Sequence, residues 1–458
     1  MIRRQRILYL TNRVPYPPDK GDKIRTYHHL DHLARWHDVY CACFADSPRE
    51  LDRAEALRQW CTEVAVVRWS PGRALLRTVA DGLAGAPLTC AAYRNRRMTR
   101  HIARWTAKRP FDVALAFSSS MAPYALAAPA ARHVLDLCDC DSRKWVDYAR
   151  HSRFPASALW RLEAARLRGF ELECLRRFDA TLVITERERR ILDPDDACPR
   201  LHVVANGVDL PAPGHNAPPA NNAKPIIGFV GSMDYKPNVD AVRWFVRRVW
   251  PFIRDEIPEA RFRIVGRSPT RAVRRLRRVP GVDVAGAVRS VERHLASMRV
   301  FVAPLFIARG LPNKVLEAMA LRRPVVATTA VASCLNCDPG RNILVADAAE
   351  AFARKVTDLC RFDALCDGVA EAGFRCVAAG YSWAETLRRF EHATLKQPIS
   401  YATAASPMPT SLPVTLIKAP VGSGVTGLDR PVFTEAGRAE PPPVRSVPQP
   451  AGLPQHTI

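Results

Sequence analysis

The stretch from Val300 to Thr329, VFVAPLFIARGLPNKVLEAMALRRPVVATT, holds the residues best suited to chemistry. An apolar run ends near Leu305, a loop carries Arg309 and Gly310, and Pro312 stands where a helix would begin. Proline is favoured at a first helical position. The first turn of a helix presents unpaired N–H groups and the positive end of its dipole, which suits a phosphate. Arg309 and Lys314 flank that turn with full positive charges, and Gly310 lets backbone come close to a ligand. Glu317, about one turn further in, is badly placed for a phosphate and well placed to accept hydrogen bonds from ribose hydroxyls. The ensemble suits a nucleotide diphosphate. An ordinary strand-to-helix crossover with a solvated Glu317 accounts for the same spacing equally well.

A second candidate is the loop Lys20-Gly21-Asp22-Lys23-Ile24-Arg25, between a first strand and a helix. In open α/β sheets ligands sit at the carboxyl ends of strands. Lys20, Lys23 and Arg25 could meet phosphate there, and Asp22 could orient an acceptor hydroxyl. The plainer reading is a capped helix start with Asp22 near the N-cap. Further on, LDLCDCDSRKW (Leu135–Trp145) sets Asp136, Asp139 and Asp141 just past a strand. No histidine accompanies them, so a cap at Asp141 is favoured over a metal site. His28, His29 and His32 share one helix and read as surface or cleft-lining residues.

The elements that must position these residues alternate regularly. Apolar strands are expected at Arg6–Thr11, Asp38–Ala45, Glu63–Arg68, Asp112–Phe117, Arg132–Cys138, Ala180–Thr185 and Leu201–Ala205, with helices between them, one running from about 142 to 177. A Pro-, Ala- and Asn-rich segment, 211–225, reads as a linker. A second series follows at Ile226–Val230, Arg261–Val265, Val282–Ala285, Val300–Pro304, Pro324–Thr328 and Asn342–Val345. Short buried strands separated by helices imply parallel sheets covered on both faces. The fold class is therefore α/β, with two Rossmann-like doubly wound domains facing a cleft. The expected order is a first domain over 1–210, the linker, a second domain over 226–380, a helix over 381–396 and a disordered Pro-rich tail over 397–458.

The chain has 458 residues, with 68 Lys+Arg against 45 Asp+Glu, a net charge of +23. With 48% hydrophobic and 25% charged residues over that length, collagen, wholesale disorder and a small disulfide scaffold are excluded, and the charge excess points to a polyanionic neighbour. The 13 cysteines show no repeated spacing beyond the single C-x-x-C at Cys334 and Cys337, and they read as thiols in a reducing compartment. The uncharged run Val113–Ala131 contains serines and prolines, so a strand, a turn and a short buried helix are expected there rather than a membrane span. Tyr93–Arg109 has seven basic residues and no acid. It predicts an amphipathic helix with Met98, Ile102 and Trp105 on one face. That stripe belongs either to the core or to an anionic membrane surface.

The segment NKVLEAMALRRPVVAT resembles the C-terminal signature of GT-B glycosyltransferases of family four, an E-x7-E motif followed by A-M-A-x-G-x-P-V-V-A. Glu317, Ala318, Met319, Ala320, Pro324, Val325, Val326 and Ala327 match it. VVANGVD (Val203–Asp209) is similar to the end of that family's first domain, and GFVGSMDYKPNVDAVRWF (Gly228–Phe245) to the start of its donor domain. PYPPDKGDKIRTYHHL (Pro15–Leu30) resembles the acceptor-side loop of a subgroup that builds bacterial exopolysaccharides alongside exosortase systems.

The resemblance implies a retaining transfer from a nucleotide diphosphate sugar to a saccharide or lipid-linked saccharide, with no metal and no cofactor beyond the donor. It assigns Glu317 to the ribose, and Arg309, which stands where the family has its first glutamate, is read with Glu317 as catalytic because its charge can stabilise the pyrophosphate. Gly231, Ser232, Lys236, Asn238, Gly266, Gly310, Asn313, Lys314 and Val315 fall to the donor, and Gly21, Asp22 and Arg25 to the acceptor. It implies a cytoplasmic chain, peripheral at an anionic inner membrane, with no nucleic-acid partner. The sequence departs from the family pattern in three places. Arg309 replaces the first glutamate, Ser232 replaces an arginine, and Phe117–Ser120 stands where a histidine is usual. A nucleotide-sugar epimerase of the same fold and a basic nucleic-acid-binding protein are the alternatives.

Overall fold

The computed structural model describes residues 3–395 except 73, 75–77, 79, 80, 83, 213–223 and 309. The expected tail at 397–458, most of the linker and Arg309 lie outside the described residues.

The strands form where buried apolar runs were expected. The first sheet has seven strands: β1 (Arg6–Thr11), β2 (Asp38–Ala45), β3 (Glu63–Arg68), β4 (Val113–Phe117), β5 (His133–Cys138), β6 (Ala180–Val183) and β7 (Leu201–Val203). Their order is β3-β2-β1-β4-β5-β6-β7, and every pair is parallel. All six residues of β1 are buried, as a central strand covered on both faces requires. The second sheet has six: β8 (Ile226–Val230), β9 (Arg261–Val265), β10 (Val282–Gly286), β11 (Val300–Ala303), β12 (Val325–Ala327) and β13 (Leu344–Val345), in the order β10-β9-β8-β11-β12-β13. Each order reverses at its middle, between β1 and β4 and between β8 and β11. Ligands of such sheets bind at these switch points.

Eight helices matter below and are numbered in chain order: α1 (Gly21–Trp36), α2 (Arg96–Lys108), α3 (Asp141–His151), α4 (Ala156–Arg177), α5 (Glu186–Leu192), α6 (Lys236–Trp244), α7 (Asn313–Ala320) and α8 (Trp383–Thr394). The single helix expected over 142–177 is two, α3 and α4, because Pro155 lacks the N–H that an unbroken helix would use. The basic helix α2 buries Met98, Ile102 and Trp105, and Trp105 Nε1 donates to Glu63 Oε2 at 2.6 Å. Its apolar stripe is therefore core, and no tryptophan is left to enter a bilayer. None of the thirteen cysteines is in a disulfide.

Helix α8 follows the second sheet in sequence but packs on the first. Its Phe390 joins the core that contains Ile7, Tyr9 and Leu115. Arg132 donates to the carbonyls of Ala393 and Thr394. The α1 histidines lie in this seam and do not line the cleft. The rings of His28 and Trp383 stack at 3.7 Å, as do those of His29 and Phe390, and His32 Nε2 lies 3.0 Å from Glu391 Oε2. Burial holds His28 down to about 4 and His29 well below the usual range, so both are neutral near pH 7.

Candidate active site

On the second sheet the site grows from two loops, one after β8 and one after β11. Gly231 and Gly266 are required by the backbone itself. A Cβ on Gly266 would lie 1.7 Å from the Gly231 carbonyl oxygen, and one on Gly231 would lie 2.6 Å from Asn238 Nδ2. Gly231 N–H donates to Val265 O at 3.0 Å, and the Asn238 amide donates to Ser232 O at 3.0 Å. Asn238, at the start of α6, thus ties down the loop that carries Ser232. Lys236 points outward: its side chain is 84% exposed and pairs with Asp240 at 2.5 Å. The charge expected from Lys236 on a diphosphate is directed into solvent in this arrangement.

The loop after β11 leads to Gly310, whose φ of +59° lies in the left-handed region. Helix α7 begins at Asn313, with Pro312 as its N-cap rather than its first residue. Lys314 Nζ lies 2.6 Å from each oxygen of Glu317, and both side chains remain partly open. Val315 is buried and fixes the turn in the core. The side-chain oxygen of Asn313 is buried and has no hydrogen-bond partner. A buried acceptor is almost always satisfied, so this one marks a place where a donor group is wanted.

On the first sheet the carboxyl ends of β4 and β5 face this loop. Ser118 has a φ of +76°, and its hydroxyl lies 3.1 Å from that of Ser120. Ser119 Oγ donates to Asp141 Oδ2 at 2.8 Å, so Asp141 braces that turn instead of capping α3, whose N-cap is Cys140. Asp139 lies across from the second sheet's loop. A Cβ on Gly310 would come within 3.0 Å of its Oδ1. Asp139 itself still reaches solvent; the crowding protein around it, then the carboxylates of Glu188 and Asp141, raise its carboxyl above the usual range. Arg187, on α5, donates to Ala308 O at 3.1 Å and so grips the same loop from the first sheet.

Arg25 corrects the acceptor-side expectation. It is 0% exposed, and its Nε and one terminal nitrogen hold the two oxygens of Asp136 at 2.7 and 2.9 Å. Its other terminal nitrogen donates to Val204 O at 2.8 Å and to Asn206 Oδ1 at 3.2 Å. A guanidinium spent in this way welds α1 to β5 and to the segment after β7, and offers nothing to a phosphate. Lys23 is likewise buried against Glu50 at 2.6 Å. Gly21 and Asp22 stay at the carboxyl end of β1. Asp22 pairs with Arg13 at 3.1 Å, and a Cβ on Gly21 would meet nothing within 4 Å. Asp139 and Arg187 are the cleft residues that motif matching passed over. The signal for Asp139 was its place just past a strand.

Two doubly wound parallel sheets with their carboxyl ends turned to a common cleft constitute the GT-B fold, and solved structures bear this out. S. aureus TarM aligns over 85% of this chain and 98% of its own, at 11% identity and a TM-score of 0.57. The sucrose-phosphate synthase of Thermosynechococcus elongatus aligns over 85% and 98%, at 14% identity and 0.59. Anabaena HepE, in complex with UDP and glucose, aligns over 85% and 98%, at 14% identity and 0.58. No curated protein sequence matches the chain. Residues 224–361, which hold β8 to β13 and all of α7, match the family of group 1 glycosyl transferases. The chain is a glycosyltransferase of the GT-B fold.

Proposed function

We propose that the chain is a retaining transferase that takes a sugar from a UDP-sugar and places it on a saccharide acceptor, lipid-linked, during bacterial exopolysaccharide assembly at the cytoplasmic face of the inner membrane. The observation that carries this reading is the start of α7. An unpartnered Asn313 oxygen, the Lys314–Glu317 pair and the helix's own N–H groups meet there, opposite Asp139. The complexes of HepE with UDP-glucose and with UDP support the choice of nucleotide.

In this reading Glu317 accepts the ribose hydroxyls, and Lys314 turns from Glu317 to the diphosphate. Arg309 supplies the second charge on that group. The bond from the sugar's anomeric carbon to the diphosphate oxygen breaks, and the bond to the acceptor oxygen forms on the same face. The acceptor's proton leaves with the departing diphosphate. Positive charge fixed where negative charge develops lowers the barrier. We place the membrane contact at the periphery; among the described residues no helix is long and apolar enough to cross a membrane.

The raised carboxyl of Asp139 favours one second reading, an epimerase that uses it as a base. A radiolabelled UDP-sugar incubated with membrane lipid extract separates the two. Label moving into lipid supports transfer. Isomerised free nucleotide sugar with no transfer replaces that reading with the epimerase.

A further inference from the structure

Helices α3 and α4 form a hairpin whose outer side is apolar. Phe154, at its turn, is 84% exposed, and Tyr148, Leu159 and Leu162 are each close to half exposed. The inner side is packed. Trp145 and Trp160 stack at 4.8 Å, and Glu163 accepts hydrogen bonds from the N–H groups of Leu88 and Thr89. The outward side chains are therefore surplus to what holds the hairpin in place. Exposed apolar patches of this kind mark interaction sites.

The patch is also cationic. Arg153 and Arg161 flank these apolar side chains, and Arg150, 65% exposed, lies 3.6 Å from Asp147. A second copy of the chain would set these charges against themselves. The chain's own residues 397–458 carry four basic and three acidic residues and offer no complementary charge. An anionic bilayer complements both properties at once, since apolar side chains enter between headgroups while arginines meet lipid phosphates.

The hairpin's place in the fold fits. Helix α4 has 22 residues, about 33 Å of helix. It enters the sheet at β6, whose four residues span only about 13 Å. Its first half must therefore stand past the carboxyl ends of the strands, on the side where Asp139 faces Gly310.

We propose that the tip of this hairpin, Phe154 with Leu159, Leu162 and their flanking arginines, docks the enzyme on an anionic lipid surface. It rests on the membrane placement proposed above and assigns the contact to this hairpin instead of α2, whose apolar stripe is buried. The docked hairpin would hold the mouth of the cleft against the bilayer from which a lipid-linked acceptor is presented.

Co-sedimentation of the full chain with vesicles tests this. Mixed phosphatidylcholine–phosphatidylglycerol vesicles should bind at least about tenfold more strongly than pure phosphatidylcholine vesicles. The triple variant Phe154→Ser/Leu159→Ser/Leu162→Ser and the pair Arg150→Glu/Arg153→Glu should each lose that binding, with unchanged melting temperature and unchanged thermal shift on UDP. The pair Arg97→Glu/Arg100→Glu, on α2, should keep it. Hairpin variants that bind like wild type would overturn the proposal. So would self-association that the triple variant disperses in the absence of any vesicle binding. Vesicle binding without a UDP shift would leave the docking surface standing and remove the transferase reading instead.

Discussion

Replacing Arg25 with methionine separates the two roles this residue could have. The substitution keeps much of the side chain's volume and removes the guanidinium. It leaves Asp136, 1% exposed, without the partner that meets both of its oxygens, and it frees Val204 O from its 2.8 Å donor. Breaking a buried ion pair by removing one member costs about 3–5 kcal/mol, because the remaining charge is left uncompensated. At roughly 2–4 °C per kcal/mol, the melting temperature should fall by about 6–20 °C. A second substitution, Asp136→Leu, removes the stranded carboxylate and should restore most of that loss, since a buried pair is often replaceable by apolar residues. Differential scanning fluorimetry on the wild type, both single variants and the double reads this directly. A melting temperature that does not move in Arg25→Met, together with lost transfer, would refute the structural role and return Arg25 to the acceptor site.

Two further substitutions probe the rest of the site. Gly266→Ala drives a Cβ to 1.7 Å from Gly231 O, and backbone has to move. It should cost at least about 1–3 kcal/mol in urea unfolding, and a fully stable variant would contradict the packing described. Asp139→Asn tests the crowded carboxyl. A carboxyl raised in the fold binds its proton more tightly folded than unfolded, so wild type loses stability relative to the variant as pH rises from about 4 to about 7, by an amount that solvent at the exposed Asp139 keeps small. The variant's advantage in melting temperature should grow over that window and level off above it. A gap that is constant with pH would contradict the account.

Most of the fold was legible in the sequence because parallel strands buried on both faces read as short apolar runs, and all thirteen fall where such runs occur. The break at Pro155 was missed: proline's missing N–H marks it, but the helical stretches on either side read as one. The return of α8 to the first sheet was not legible: its amphipathic pattern shows that a face is buried but not against what. The same limit governs the site. Lys314 and Glu317 stand where helix spacing puts them. Arg25 and Lys23 are consumed by Asp136 and Glu50, which are 111 and 27 residues away in sequence. Asp139 acquires its setting from Gly310, on the other sheet. Part of the +23 is likewise structural. Arg6, buried, spends its guanidinium on the carbonyls of Trp105 and Arg109, and Arg299, also buried, divides its own between Leu359 O and the Asp363 carboxylate, each within its own half of the chain. The positive charge therefore needs fewer polyanionic partners than the composition suggests.

Isothermal titration of the full chain with UDP-glucose and UDP, for wild type and for Lys314→Ala, addresses the start of α7 most directly. Wild type should bind both saturably. The variant should bind at least about tenfold more weakly, since a charge-assisted contact to phosphate is worth roughly 1.5–3 kcal/mol. The melting temperature should barely change, because the Lys314–Glu317 pair is partly exposed. Binding of equal strength in both proteins would contradict the placement of the diphosphate at α7.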